Sequence, residues 1–133
     1  MYVSNPPTGV EVVVDDEHSN AVSATLSVGW EPPDDTQGLP IELYTVWAVG
    51  ERVFAEASAT TASSSGVVLA AAHAVSQRTV RRPAGMGEPP TNAILPVKVR
   101  QLPVVVVVRA HTAAGDSLWS RASDPVGWRR LQR

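Results

Sequence analysis

The sequence predicts an all-β protein, an antiparallel sandwich of about seven strands, and three observations carry that prediction. Short stretches of alternating apolar and polar residues recur along the chain, the period of strands with one buried face. Prolines punctuate them, with Pro6-Pro7, Pro32-Pro33, Pro40 and Pro103 among 11 in all, where turns and strand ends belong. The length of 133 residues suits one domain, and such a domain buries roughly two-thirds of its unfolded surface. A core of that size holds without staples, and the chain has no cysteine to supply them.

Pro6-Pro7 leads into Thr8–Val14, where Val10, Val12 and Val14 share one face of a first strand. Asp15–Asn20 is a polar turn. Ala24–Trp30 sets Leu26, Val28 and Trp30 against Thr25, Ser27 and Gly29, giving a second strand with one buried face. Pro32-Pro33 withholds the next backbone donors and ends that pairing. Asp34–Pro40 has turn chemistry, and Ile41–Val49 is the third strand. Near the other end, Ile94–Arg100, Val104–Thr112 and Ser117–Val126 read as strands, with Ala113–Asp116 a loop between the last two. In between, Ala59–Ser65 is small and polar, Val67–Val75 apolar, and Arg78–Thr91 basic and then rich in Gly and Pro. Val67–Val75 reads as an edge strand beside Ile41–Val49, while Val68, Ala71, Ala72 and Val75 also fit helical spacing. Gly85–Pro90 reads as a loop, and residues 127–133 as a linker stub.

The stretch Val28–Val46, VGWEPPDDTQGLPIELYTV, places a Trp, a double-proline turn and then Ile41-x-x-Tyr44-x-Val46. It resembles the B–C region of fibronectin type III domains. Pro7-Thr8-Gly9-Val10 resembles that family's lead-in to strand A. Val106-x-Val108-Arg109-Ala110, followed by Gly115-x-Ser117 and Ser120, resembles its F strand, F–G loop and G strand. The resemblance covers roughly residues 1–50 and 94–126 and implies an immunoglobulin-like sandwich over 1–133. Such a sandwich needs about 100 residues, so the surplus implies an enlarged C′–E region, with an inserted segment at about 60–93. The chain departs from the family at strand F, where Val104 stands in place of a Tyr and only Leu102-Pro103 remains of the preceding turn.

Charge is divided along the chain. Residues 1–60 hold ten acids and only Arg52; residues 61–133 hold ten basic groups against Glu88, Asp116 and Asp124. This polarity can steer head-to-tail packing of neighbours, or draw opposite halves of one sandwich together. The basic residues lack interleaved aromatics and the isoelectric point is below neutral, which excludes a nucleic-acid partner. The longest apolar runs, Val67–Ala72 and Val104–Val108, are too short for a membrane span. No signal peptide is visible at Met1–Gly9, and the compartment stays open.

Gly115-Asp116-Ser117-Leu118 spells the GDSL string of a serine esterase family. A hydroxyl needs a positioned base to act as nucleophile, and no His follows Leu118, so the alternative is a loop with Gly115 at positive φ. His18, His73 and His111 show no ligand spacing, and His111 reads as a strand-end residue facing solvent. The acidic turns lack an alternating oxygen-ligand pattern, so no metal or other cofactor is called for. No feature points to a small-molecule ligand.

Strand faces give the candidate site. With Tyr44, Val46 and Ala48 inward, Leu43, Thr45, Trp47 and Val49 point outward. With Val104, Val106, Val108 and Ala110 inward, Val105, Val107, Arg109 and His111 point outward. Leu43, Trp47, Val105 and Val107 then form an apolar patch on an outer sheet face, beside Asp116 and Trp119. A half-solvated sheet should be polar there, so either the segment 60–93 or a docked protein covers it. The resemblance implies a non-catalytic protein-interaction or spacer module of a multidomain protein. The alternatives are an accessory domain positioning a separate carbohydrate-active or proteolytic domain, and a GDSL-type hydrolase.

Overall fold

In the second strand every other side chain is sealed from water: Ala24, Leu26, Val28 and Trp30 are buried while Ser27 is exposed. A computed structural model of the chain describes residues 5–15, 22–34, 38, 40–60, 69, 71–81 and 89–127. The polar turn at 16–20, the Gly85–Glu88 part of the expected loop and the stub at 128–133 lie outside the described residues. Strands β1 (Thr8–Val14), β2 (Ser23–Glu31) and β5 (Asn92–Lys98) form one antiparallel sheet in the order β1-β2-β5. Strands β3 (Leu43–Gly50), β4 (Ala74–Arg81), β6 (Val104–Thr112) and β7 (Gly115–Asp116) form the other, in the order β4-β3-β6-β7. The result is an immunoglobulin-like antiparallel β-sandwich.

The core lies between the sheets. Leu26, Val28, Ala93, Leu95 and Val97 from one meet Tyr44, Val46, Ala48, Val104, Val106, Val108 and Ala110 from the other. Each fully buried aliphatic side chain contributes about 1.5–3 kcal/mol. Trp30 packs edge-on against Tyr44 with ring centroids 5.2 Å apart. The register Tyr44↔Ala110, Val46↔Val108 and Ala48↔Val106 keeps all six on the core face, and a slip of one residue would turn every one outward. At the start of β6, where the resemblance would place a Tyr, Val104 is fully buried. A 3-10 turn at Val99–Gln101 holds that corner instead: Lys98 N–H donates to Gln101 Oε1 at 2.9 Å, and Val99 N–H to the Val22 carbonyl at 2.8 Å.

Three elements differ from expectation. The edge strand beside β3 is Ala74–Arg81, not Val67–Val75; Ala71–His73 is a 3-10 turn, and Val67, Val68 and Ala70 lie outside the described residues. An edge strand with only Val80 buried has no apolar alternation to betray it. Residues 51–60, to which the sequence pattern assigned no element, form a helix, α1 (Glu51–Thr60), directly after Gly50. Glu, Arg and Ala favour that state, and Glu51 complements the positive helix N-terminus. The third difference is Ser117–Val126: the last strand is the short β7 at Gly115–Asp116, just before it, and within the segment only Val126 makes a strand bridge.

Between those points the last segment follows β6 with an unusual step. Ser117, Ser120 and Ser123 donate their backbone N–H to the carbonyls of Ala110, Val108 and Val106 at 2.8–2.9 Å. Three residues here face two on β6, a bulge repeated at each step. The displaced carbonyls would leave three β6 amides unmet, and the serine hydroxyls replace them. Ala110, Val108 and Val106 N–H donate to the Oγ of Ser117, Ser120 and Ser123 at 3.0, 2.9 and 2.9 Å. Each hydroxyl in turn donates a hydrogen bond to the next carbonyl, those of Leu118, Arg121 and Asp124. Each of these buried serine hydroxyls therefore both donates and accepts a hydrogen bond, as most buried polar groups do.

Candidate functional site

The outer face of the β4-β3-β6-β7 sheet is divided into a covered half and an open half. Trp47, Val49 and Val107 form a second apolar cluster with Leu69 and Trp119, ringed by Phe54, Ala57, Ala74 and Ala122. The cover thus comes from α1, Leu69 and the last segment of the same chain. Trp47 and Trp119 meet with centroids 4.7 Å apart, tilted by 45°. The three-residue step makes this possible, since Trp119 and Ala122 fall in one row, the serines in another and Leu118, Arg121 and Asp124 in the exposed third. Of the apolar patch read from the sequence, Trp47 is 8% exposed, Val105 4% and Val107 0%, and Trp119 beside it is 7% exposed. Leu43 is half-buried and Asp116 exposed, so those two reach solvent.

The open half is polar and centred on His111, which sits opposite Leu43 on one side and Asp116 on the other. Its Nδ1 is hydrogen-bonded to Asp116 Oδ1, and its Nε2 lies 2.7 Å from Thr45 Oγ1. An ionised carboxylate only accepts, so Nδ1 donates to it. With the imidazole neutral, Nε2 then accepts the Thr45 hydroxyl proton. His111 is half-buried in this chain of bonds and does not stand free in solvent as its place at a strand end suggested. Arg109, directly across from Thr45, stacks its guanidinium 4.0 Å from the Trp119 ring centroid and approaches Asp116 Oδ2 at 3.5 Å. Burial lowers the pKa of this guanidinium from its ordinary value, and the Asp116 charge and hydrogen bond oppose that shift.

Leu43, Asp116 and the loop at 113–116 therefore come together at the open end, while Trp47 and Val107 lie beneath the cover, Trp119 is part of that cover, and Val105 is buried beside them. Thr45 and Arg109 complete the open end. Their signal in the sequence was the outward alternation of the two strands, but their bonds join positions far apart in the chain. Phe54, which closes the other half, carried no strand signal at all. Ser117 is 3% exposed with its hydroxyl committed to backbone on both sides, and the neighbouring Asp116 turns to His111 instead. No nucleophile is assembled at the GDSL string. Among the described residues no group of three His, Asp or Glu comes together to hold a metal. No helix among them is long and apolar enough to cross a membrane.

Two grooves run along the seams where the sheets meet. One, of about 440 Å³, lies between β1 and the last segment and is lined by Gly9–Val13 and Ala122–Asp124. The other, of about 330 Å³, lies between β4 and β5, lined by Arg78–Arg81 and by Pro90 and Asn92–Ile94.

No family model matches this chain, and no curated protein does. Solved structures do. The chain is similar to domains A168-A170 from titin, at 18% identity and a TM-score of 0.53, covering 93% of this chain and 32% of that one. It is also similar to titin kinase and its flanking domains, at 21% identity and a TM-score of 0.55, covering 97% of this chain and 18% of that one. It thus spans about a third or less of either of those chains. At these identities the likeness is one of fold, that of an immunoglobulin-like sandwich.

Proposed function

We propose that this chain is a non-catalytic module of the fibronectin type III kind, serving a multidomain protein as a spacer or protein-docking unit. The observation that carries this reading is the division of the outer sheet face. The chain's own helix closes the apolar half, which leaves Leu43, Thr45, Arg109, His111 and Asp116 as a ready-made surface beside the loop at 113–116. The A-B-E and C′-C-F-G order of its strands and the Gly115-x-Ser117 and Ser120 pattern support the family. The similar structures are pieces of a longer multidomain chain, which supports the setting.

Docking is tested with Leu43→Glu, which leaves the buried layer intact. The expected result is an unchanged melting temperature and at least tenfold weaker association with the domain encoded next to it in its reading frame. Unchanged association would sink the docking surface. The non-catalytic reading is tested by ester hydrolysis, where wild type and Ser117→Ala should both match the buffer rate.

A further inference from the structure

The two seams of the sandwich carry opposite charge. Glu11 and Asp124 are exposed on the groove between β1 and the last segment, and Arg78 and Arg81 are exposed on the groove between β4 and β5. None of the four has an ion-pair partner among the described residues, and Arg78 reaches only the Ile94 carbonyl, at 3.5 Å. Arg121 lies in the same exposed row as Asp124 but does not line the acidic groove. Each groove also holds one exposed large apolar side chain, Val13 at 64% on the acidic seam and Ile94 at 44% on the basic one. Both seams end in sheet edges: among the described strands, β1 pairs only with β2 and β4 only with β3.

We propose that copies of this chain associate side by side, the acidic seam of one against the basic seam of the next. Charge on a sheet edge keeps copies apart when both edges carry one sign. Here the edges carry opposite signs, so the same charges that repel like edges attract unlike ones. Val13 and Ile94 place apolar surface beside the charges, and among the described strands neither β1 nor β4 pairs along its outer edge. The contact is heterologous, because a different surface is used on each partner, so association continues beyond a dimer unless a ring closes. Since the charges are exposed, the contact is salt-sensitive. It uses neither Leu43 nor Asp116, although Arg81 lies across from Leu43 in the β3–β4 register, so the two surfaces meet at that pair.

Sedimentation velocity of the full chain over a concentration series tests this. At low salt the weight-average sedimentation coefficient should rise with concentration, and in about 1 M salt, where screening reaches about 3 Å, it should not. Arg78→Glu with Arg81→Glu should weaken association at least tenfold, and so should Glu11→Arg with Asp124→Arg. Mixing these two variants should restore association, because one is acidic and the other basic on both seams. All four reversals in one chain should restore it as well. Circular dichroism melts establish that each variant is folded. A wild type that stays monomeric at low salt overturns the proposal, as does association by the folded reversal variants that equals wild type, or mixing that restores nothing.

Discussion

A buried hydroxyl that accepts one amide and donates to one carbonyl has nothing left for chemistry, and Ser117, Ser120 and Ser123 are all of this kind. Removing one leaves a β6 amide buried and unmet. Ser120→Ala should therefore cost about 1–3 kcal/mol in urea unfolding, whereas Leu118→Ala, in the exposed row, should stay within about 0.5 kcal/mol. Equal effects would show that the hydroxyl is not the amide's essential acceptor. Gly115 sits at φ 128°, a conformation that side chains rarely adopt. Gly115→Ala should lower stability by at least about 1 kcal/mol on the same assay. Both features were partly legible in the sequence: loop chemistry calls for a positive φ at Gly115 and for a local backbone bond at Asp116 or Ser117, and it is Ser117 that makes it. The bonds of His111 were not legible. Asp116 is five residues away across a hairpin and Thr45 is 66 away, and only the strand register unites them.

At the level of elements, the strands that border the core were readable and the segment between β3 and β5 was not. β2, β3 and β6 alternate because one face of each meets the core, and their positions could be read to within a residue or two. α1 has ten residues, fewer than an isolated helix needs to be stable in water. Its helicity depends on contact with Trp47 and Val107, which no local pattern reveals. The charge of such a helix is secondary; its apolar contact decides. Phe54→Asp should cost about 3 kcal/mol or more, with a red shift in tryptophan emission as Trp47 and Trp119 become wet. A variant as stable as wild type would show that α1 does not close this face.

At the level of the whole molecule, β6 is buried on both faces from Val104 to Val108, the pattern of a strand covered twice. One face belongs to the core between the sheets and the other to the cluster under α1. Neither cluster can be lost without exposing a strand that serves the other. Fluorescence of Trp47 and Trp119, read with Trp30 and Trp128 replaced by Phe, and far-UV circular dichroism, reporting the sheets, should therefore give coincident urea transitions. Two separated midpoints would show that the helix and its cluster melt on their own. Charge belongs to this scale too. The seams divide charge as well, with Glu11 and Asp124 on one and Arg78 and Arg81 on the other, but Asp124 comes from the basic half of the sequence, so the fold and not the chain order makes this division.

The three-residue step of the last segment sets a rule for which length changes it tolerates. Ser117, Ser120 and Ser123 share one phase, Trp119 and Ala122 another, and every phase meets a different environment. Deleting one residue between Ser117 and Ser123 moves each later side chain into the wrong row, sending an apolar group to an amide or a serine to solvent. Deleting three keeps the rows aligned and shortens the segment by one repeat. The chain's end thus behaves like a text read in triplets, where the size of an insertion or deletion matters less than its remainder.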